Sequence, residues 1–135
     1  MFSRVAKCSC GSVQITVKGD PELVAACSCG ECQRQTGSVL NVSAYWLSEN
    51  AEVTGATSVY TRLAQSGGAV TLHFCPDCGS SIFWLLNDLK PDWICIGVGM
   101  FSDPDFPPPT VSVWENRKHS WVSTPAASCF DEQPF

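Results

Sequence analysis

The chain has 135 residues, 44% hydrophobic and 16% charged. That is enough apolar material for a core and too little charge for a disordered tail, and the length fits one domain over residues 1–135. Thirteen acidic against eight basic residues leave a net charge of −5, with no lysine/arginine run beyond Arg117-Lys118; neutralising a phosphate backbone takes a basic stripe, so nucleic acid is disfavoured as a partner. The longest apolar stretch, Trp93 to Met100, falls well short of the about 20 residues that cross a bilayer as a helix. Met1 to Lys7 carries no apolar leader run, and we therefore expect a soluble, cytoplasmic protein with no membrane partner.

In chain order, the first feature is a cysteine pair, Cys8-Ser9-Cys10-Gly11. It leads into a run in which Val13, Ile15 and Val17 alternate with polar residues, predicting a strand over Val13–Lys18 with those three side chains inward. A second group follows, Cys27-Ser28-Cys29-Gly30-Glu31-Cys32. The residues Glu31 to Gln35 tolerate a helix and Thr36-Gly37 ends it, so one or two turns are expected after Cys29. Further strands are predicted over Val39–Tyr45, Ser58–Leu63, Ala69–Phe74, Ser80–Leu86, Trp93–Val98 and Thr110–Trp114, each bounded by Gly, Pro, Asp or Asn. Gly67-Gly68 reads as a hairpin turn, because paired glycines accept positive φ, and that hairpin runs into the knuckle Phe74-Cys75-Pro76-Asp77-Cys78-Gly79. The proline-rich run Asp103 to Pro109 cannot be helix or central strand and reads as a rigid surface connection. The tryptophans Trp46, Trp84, Trp93, Trp114 and Trp121 read as core or sheet-edge packing. The chain should be mainly β.

Nine cysteines is an odd count, and seven of them fall into tight groups. A disulfide framework suits a short secreted chain with an even number, whereas close pairs such as C-x-x-C deliver two sulfurs to one metal ion. Cys8, Cys10, Cys75 and Cys78 make two half-sites for one closed structural zinc. Cys27, Cys29 and Cys32 make three ligands of a second zinc, and three protein ligands plus an open position are the mark of a catalytic ion. The competing reading closes the triplet with His73, Asp77, Cys95, Cys129 or His119 and makes it structural. Cys95, in an alternating apolar run, reads as a small core residue, and Cys129 as an incidental thiol.

Three thiolates make zinc a weak activator of water and a good partner for soft ligands. The open position therefore favours a small-molecule thiol, held in its deprotonated form, whose sulfur adds to or leaves from a carbonyl carbon. On this reading Cys27, Cys29 and Cys32 are the catalytic centre, and Gly30, Arg34, Thr36, Gly37 and Ser38 on the adjoining turn are candidate substrate contacts. Asp77, Glu31 and His73 are candidate proton carriers. The alternatives are a non-catalytic zinc-binding interaction module and a metal or thiol sensor.

Three runs in this order, Cys8-Ser9-Cys10-Gly11-Ser12-Val13, Cys27-Ser28-Cys29-Gly30-Glu31-Cys32-Gln33-Arg34-Gln35-Thr36-Gly37-Ser38 and Phe74-Cys75-Pro76-Asp77-Cys78-Gly79, resemble the glutathione-dependent formaldehyde-activating enzyme family, which includes centromere protein V-type domains. The resemblance extends through Gly97 to Pro109 and covers about residues 8 to 121. It implies a β-tent fold, mainly antiparallel sheets pinned by zinc. It also implies a structural zinc on Cys8, Cys10, Cys75 and Cys78, a second zinc on Cys27, Cys29 and Cys32 at the active site, and glutathione as the thiol partner. The implied activity is that of a carbon–sulfur lyase joining glutathione to formaldehyde, like S-hydroxymethylglutathione synthase. Ser102 stands where the family often carries an acidic residue, and Ser112-Val113 where a His-Ile pair is frequent; the cysteines match throughout.

Overall fold

The computed structural model describes residues 2–134. Its elements run β1 (Ser3–Lys7), β2 (Gln14–Lys18), β3 (Leu23–Cys27), α1 (Gly30–Thr36), β4 (Asn41–Leu47), β5 (Ala51–Thr54), β6 (Ser58–Leu63), β7 (Ala69–Phe74), β8 (Ser81–Leu86), β9 (Lys90–Gly97), β10 (Val111–Val113) and β11 (Ser128–Cys129), with short 3₁₀ turns after β4, β9 and β10. The mainly β class and the β-tent expectation hold. Most pairing is antiparallel; β10 is the exception, lying parallel to both β3 and β11.

Two sheets form. A three-stranded sheet has the order β1-β2-β5, and an eight-stranded sheet the order β11-β10-β3-β4-β9-β8-β7-β6. The alternation in β2 works as its sequence demands: Val13, Ile15 and Val17 are fully buried, and each such side chain stabilises the fold by about 1.5–3 kcal/mol relative to exposure. They pack with Val24, Ala44, Trp46, Ile82, Phe83, Ile94 and Ile96 to fill the space between the two sheets. Because successive strand residues point to opposite faces, Ala25, Tyr45, Trp84 and Cys95 belong to a second cluster on the other face of the large sheet, with Val70 and Leu72.

Differences from the sequence reading have local causes. β3 carries no alternation because its central residues Val24, Ala25 and Ala26 are all buried, as in a strand covered on both faces. The connection from Asp103 to Pro109 is mostly exposed, yet Phe106 turns inward, 9% exposed, against Trp46 and Phe101. Trp46 and Trp84 are core residues, whereas Trp121 is 72% exposed and lies edge-on to His119. No helix among the described residues is long and apolar enough to cross a membrane.

Candidate functional site

The seven clustered cysteines form two groups of converging sulfurs, Cys8 with Cys10, Cys75 and Cys78, and Cys27 with Cys29 and Cys32; within each group the sulfurs lie within 4.8 Å of one another. The first group sits between the sheets. Cys8 and Cys10 come from the turn between β1 and β2, Cys75 and Cys78 from the turn between β7 and β8. Both turns fold alike: the Cys8 N–H donates to Val13 O and the Gly11 N–H to Cys8 O, while the Cys75 N–H donates to Ser80 O and the Gly79 N–H to Cys75 O. Sulfurs 2.3 Å from a tetrahedral ion stand about 3.8 Å apart. Cys8 and Cys10 are separated by 3.7 Å, and Cys10 and Cys75 by 3.6 Å, so the donor set fits one ion.

Hydrogen bonds support negative sulfur there. The Val13 N–H donates to Cys8 Sγ at 3.3 Å, and the Ser12 hydroxyl lies 3.1 Å from Cys10 Sγ and 3.2 Å from Cys75 Sγ. The hydroxyl and backbone N–H of Ser80 bring the Cys78 thiol down to about 5. Cys8 and Cys75 are buried, and Cys10 is exposed.

The second group is local. Cys27 ends β3, Cys29 caps the N-terminus of α1, and Cys32 lies in its first turn, its N–H donating to Cys29 Sγ at 3.3 Å. The loop is braced from both sides. Ser28, 1% exposed, donates its N–H to Val113 O on β10, and the Gln33 amide donates back to Ser28 O at 2.8 Å. At its far end α1 stops at Gly37, whose φ of +69° suits glycine and whose N–H caps Gln33 O.

The three thiols share protons unequally. Donation from Cys27, and then from Cys32, pulls Cys29 down to about 2 from an ordinary 9.0. The same pairing with Cys29 and Cys32, together with burial, pushes Cys27 up. For Cys32 the bond to Cys27 lowers the value, but the bond to Cys29 and burial outweigh it and leave it at about 11, with the charge of Arg62 acting downward. No other His, Cys, Asp or Glu among the described residues joins this group. His73 is on the other face of β7, bonded to Thr57 at 2.8 Å and stacked on Phe83, and Cys95 is enclosed in the core.

One side of the triplet faces a cavity of about 90 Å³ whose walls are largely apolar: Ala25, Val70, Trp84, Leu86, Val113 and Trp114. Its polar lining includes Asn41, Ser43 and Tyr45 from β4. The Asn41 amide approaches Cys32 Sγ at 3.9 Å. Burial holds the Tyr45 phenol well above its ordinary value, so it keeps its proton at neutral pH.

The residues singled out on the turn after Cys29 lie on or just after α1. The Arg34 side chain is 77% exposed and paired with Glu31 at 3.3 Å. The Thr36 hydroxyl bonds Cys32 O at 3.0 Å and accepts from the Ser38 N–H at 3.0 Å, which closes the helix end. Thr36 and Ser38 line a wider groove together with Gly97 and Pro107 to Pro109. Gly30, Arg34, Thr36, Gly37 and Ser38 are all absent from the described lining of the triplet cavity, as are Asp77 and Glu31.

Arg62, which the sequence did not mark, lines this cavity, and Gln35 on α1, which lines the wider groove with Thr36 and Ser38, is bonded to Arg62. Arg62 faces the cavity because β6 pairs Arg62 with the cavity residue Val70, and its Nη2 donates to Gln35 Oε1 on α1 at 2.9 Å. The remaining donors of this pair, Arg62 Nε and Gln35 Nε2, are shut from solvent without a partner, a state that costs about 1–3 kcal/mol per group.

A family model described as glutathione-dependent formaldehyde-activating enzyme matches residues 3–117, a span that includes both cysteine groups. The chain belongs to that family. A Fusarium vanettenii protein provisionally named as a glutathione-dependent formaldehyde-activating enzyme is 28% identical over 86 residues, covering 63% of this chain and 45% of that protein. The chain therefore matches less than half the length of this fungal relative. A crystal structure of a Rhodobacter sphaeroides protein aligns at a TM-score of 0.55 and 21% identity, over 74% of this chain and 91% of that one, a likeness of fold. Membership in the formaldehyde-activating family places the two cysteine groups in one shared sequence framework, and both groups could hold a metal ion.

Proposed function

We propose that this chain is a carbon–sulfur lyase that joins a small-molecule thiol, glutathione in the first instance, to formaldehyde or a similar small aldehyde. Family membership and the name of the fungal relative support the substrate class. The observation that carries the reading is the triplet itself: three converging sulfurs from one short stretch, with no fourth protein ligand among the described residues, opening on an apolar cavity. Zinc suits both donor sets, with Cys8, Cys10, Cys75 and Cys78 as a closed structural site and Cys27, Cys29 and Cys32 as the catalytic one. The chemistry supplied by zinc on the triplet is stabilisation of a deprotonated thiol sulfur at neutral pH.

The chain's own residues supply the rest. In the forward direction the thiol sulfur forms a bond to the aldehyde carbon, the carbonyl π pair moves to oxygen, and the thiol proton ends on that oxygen; the reverse step breaks the same carbon–sulfur bond. The Tyr45 phenol, protonated and on the cavity wall, is a donor for the aldehyde oxygen. The apolar lining from Val70, Trp84, Leu86 and Val113 limits water, which strengthens polar interactions inside and disfavours hydration of the aldehyde. A cavity of about 90 Å³ does not enclose a tripeptide, so such a thiol enters sulfur first with its backbone at the mouth.

The test is exchange spectroscopy with 13C-formaldehyde and glutathione. The zinc-replete protein is expected to accelerate formation and breakdown of the hydroxymethyl adduct, and Cys29→Ser to abolish the acceleration while the protein stays folded. Binding of glutathione with no acceleration would make the chain a thiol-binding module instead.

A further inference from the structure

We infer that Arg62 and Gln35 form an anchor for the carboxylate of the thiol, making the site selective for anionic thiols. This rests on the thiol reading above and extends it. Arg62 is the one charged side chain among the described residues lining the triplet cavity. It is also tied, through its Nη2 bond of 2.9 Å, to Gln35, which follows Cys32 by one turn of α1 and so lies on the same helix face. The guanidinium uses Nη1 on Leu63 O at 3.2 Å and Nη2 on Gln35. The Arg62 Nε and the Gln35 Nε2 are two buried donor nitrogens lacking acceptors.

Buried donors are almost always paired in folded proteins, so two such donors on adjoining side chains describe the group they lack. It presents two acceptor oxygens, offers no proton and carries negative charge. A carboxylate meets all three conditions, and a guanidinium edge is its preferred partner. The Gln35 amide oxygen accepts from Arg62 Nη2, so seating a carboxylate on these donors requires the pair to open toward the cavity that Arg62 lines. The three sulfurs line the same cavity as Arg62 and, when charged, repel a free anion, which leaves the anchor to act on an anion that also brings a thiol.

The experiment is calorimetric titration of the zinc-replete protein with N-acetylcysteine and with its methyl ester, which share the thiol and differ in the carboxylate. The acid is expected to bind at least about tenfold more tightly than the ester, as a charge-assisted pair implies, although the protein's net charge of −5 biases against it. Arg62→Gln, and independently Gln35→Leu, should bring the two ligands within about twofold of each other while leaving ester binding unchanged. Equal affinity of the unaltered protein for acid and ester overturns the anchor and leaves the thiol site standing. Equal weakening of both ligands in Arg62→Gln also overturns it, assigning Arg62 to balancing sulfur charge. Failure of both ligands to bind the unaltered protein removes the thiol reading itself.

Discussion

The two cysteine groups differ less in chemistry than in how the chain reaches them. The four-sulfur group draws on turns far apart in sequence, Cys10 and Cys75 being separated by 65 residues, and it fastens the three-stranded sheet to the eight-stranded one. The triplet comes from a single stretch at the end of β3 and the start of α1. On the proposed function, the first group would act on folding and the second on a ligand. They also face opposite sides of the large sheet: Cys8 and Cys75 join the core between the sheets, while Cys27 shares the face of Ala25, two residues earlier on β3, which belongs to the other cluster.

The sharpest way to break this comparison is to remove one sulfur from each group. Cys75→Ser is expected to unfold the protein or to cost on the order of 10 kcal/mol, the scale of structural zinc in small domains. Cys29→Ser should cost less than about 1 kcal/mol, because a serine hydroxyl still accepts from the Cys32 N–H at the start of α1. Chemical unfolding with metal counting checks both, and equal losses would abolish the division. A smaller effect should come from the groups that orient the sulfurs. Gln33→Leu frees Ser28 O and should weaken metal affinity at the triplet by about 10–100-fold, read by competition with a coloured chelator, with the four-sulfur ion unaffected. Ser12→Ala should do the converse and speed metal release from the four-sulfur group alone.

The smallest expected effect is electrostatic. Ser112, beside the triplet on β10, donates its hydroxyl to Glu115, and Lys118 pairs with the same carboxylate at 3.2 Å. The Ser112 bond, with help from Lys118, holds Glu115 below its ordinary 4.5. A depressed folded value contributes stability that is fully present above pH 4.5 and is lost as pH falls through the folded value. Ser112→Ala should thus lower the melting temperature slightly at neutral pH and flatten its fall below that window. An unchanged acid limb would detach Glu115 from the bracing of this region.

Much of the frame was legible in the residues alone. β6 and β7 begin and end where alternation and the Gly67-Gly68 turn placed them, and the cysteine spacing gave both groups of converging sulfurs. What escaped was carried by neighbours and not by local pattern. β1 has a single buried residue, Ala6, and is held by pairing with β2 and by Arg4, which bonds Gly19 O and Asp20. β3 is too short and alanine-rich to announce itself. Arg62 reads as an ordinary outward charge on an alternating strand; only its register against Val70 turns it to the cavity. By contrast Arg34, two residues after Cys32, is exposed and paired with Glu31, its guanidinium lying over Gly30.

The long separation within the four-sulfur group also dictates an order of assembly. A triplet contained in one short stretch can capture an ion as soon as that stretch has been synthesised, before any tertiary structure exists. The other group cannot gather its sulfurs until Cys78 has emerged and both sheets have met, so an ion bound there would mark the completion of the fold, and its binding would require those thiols to stay reduced throughout the interval.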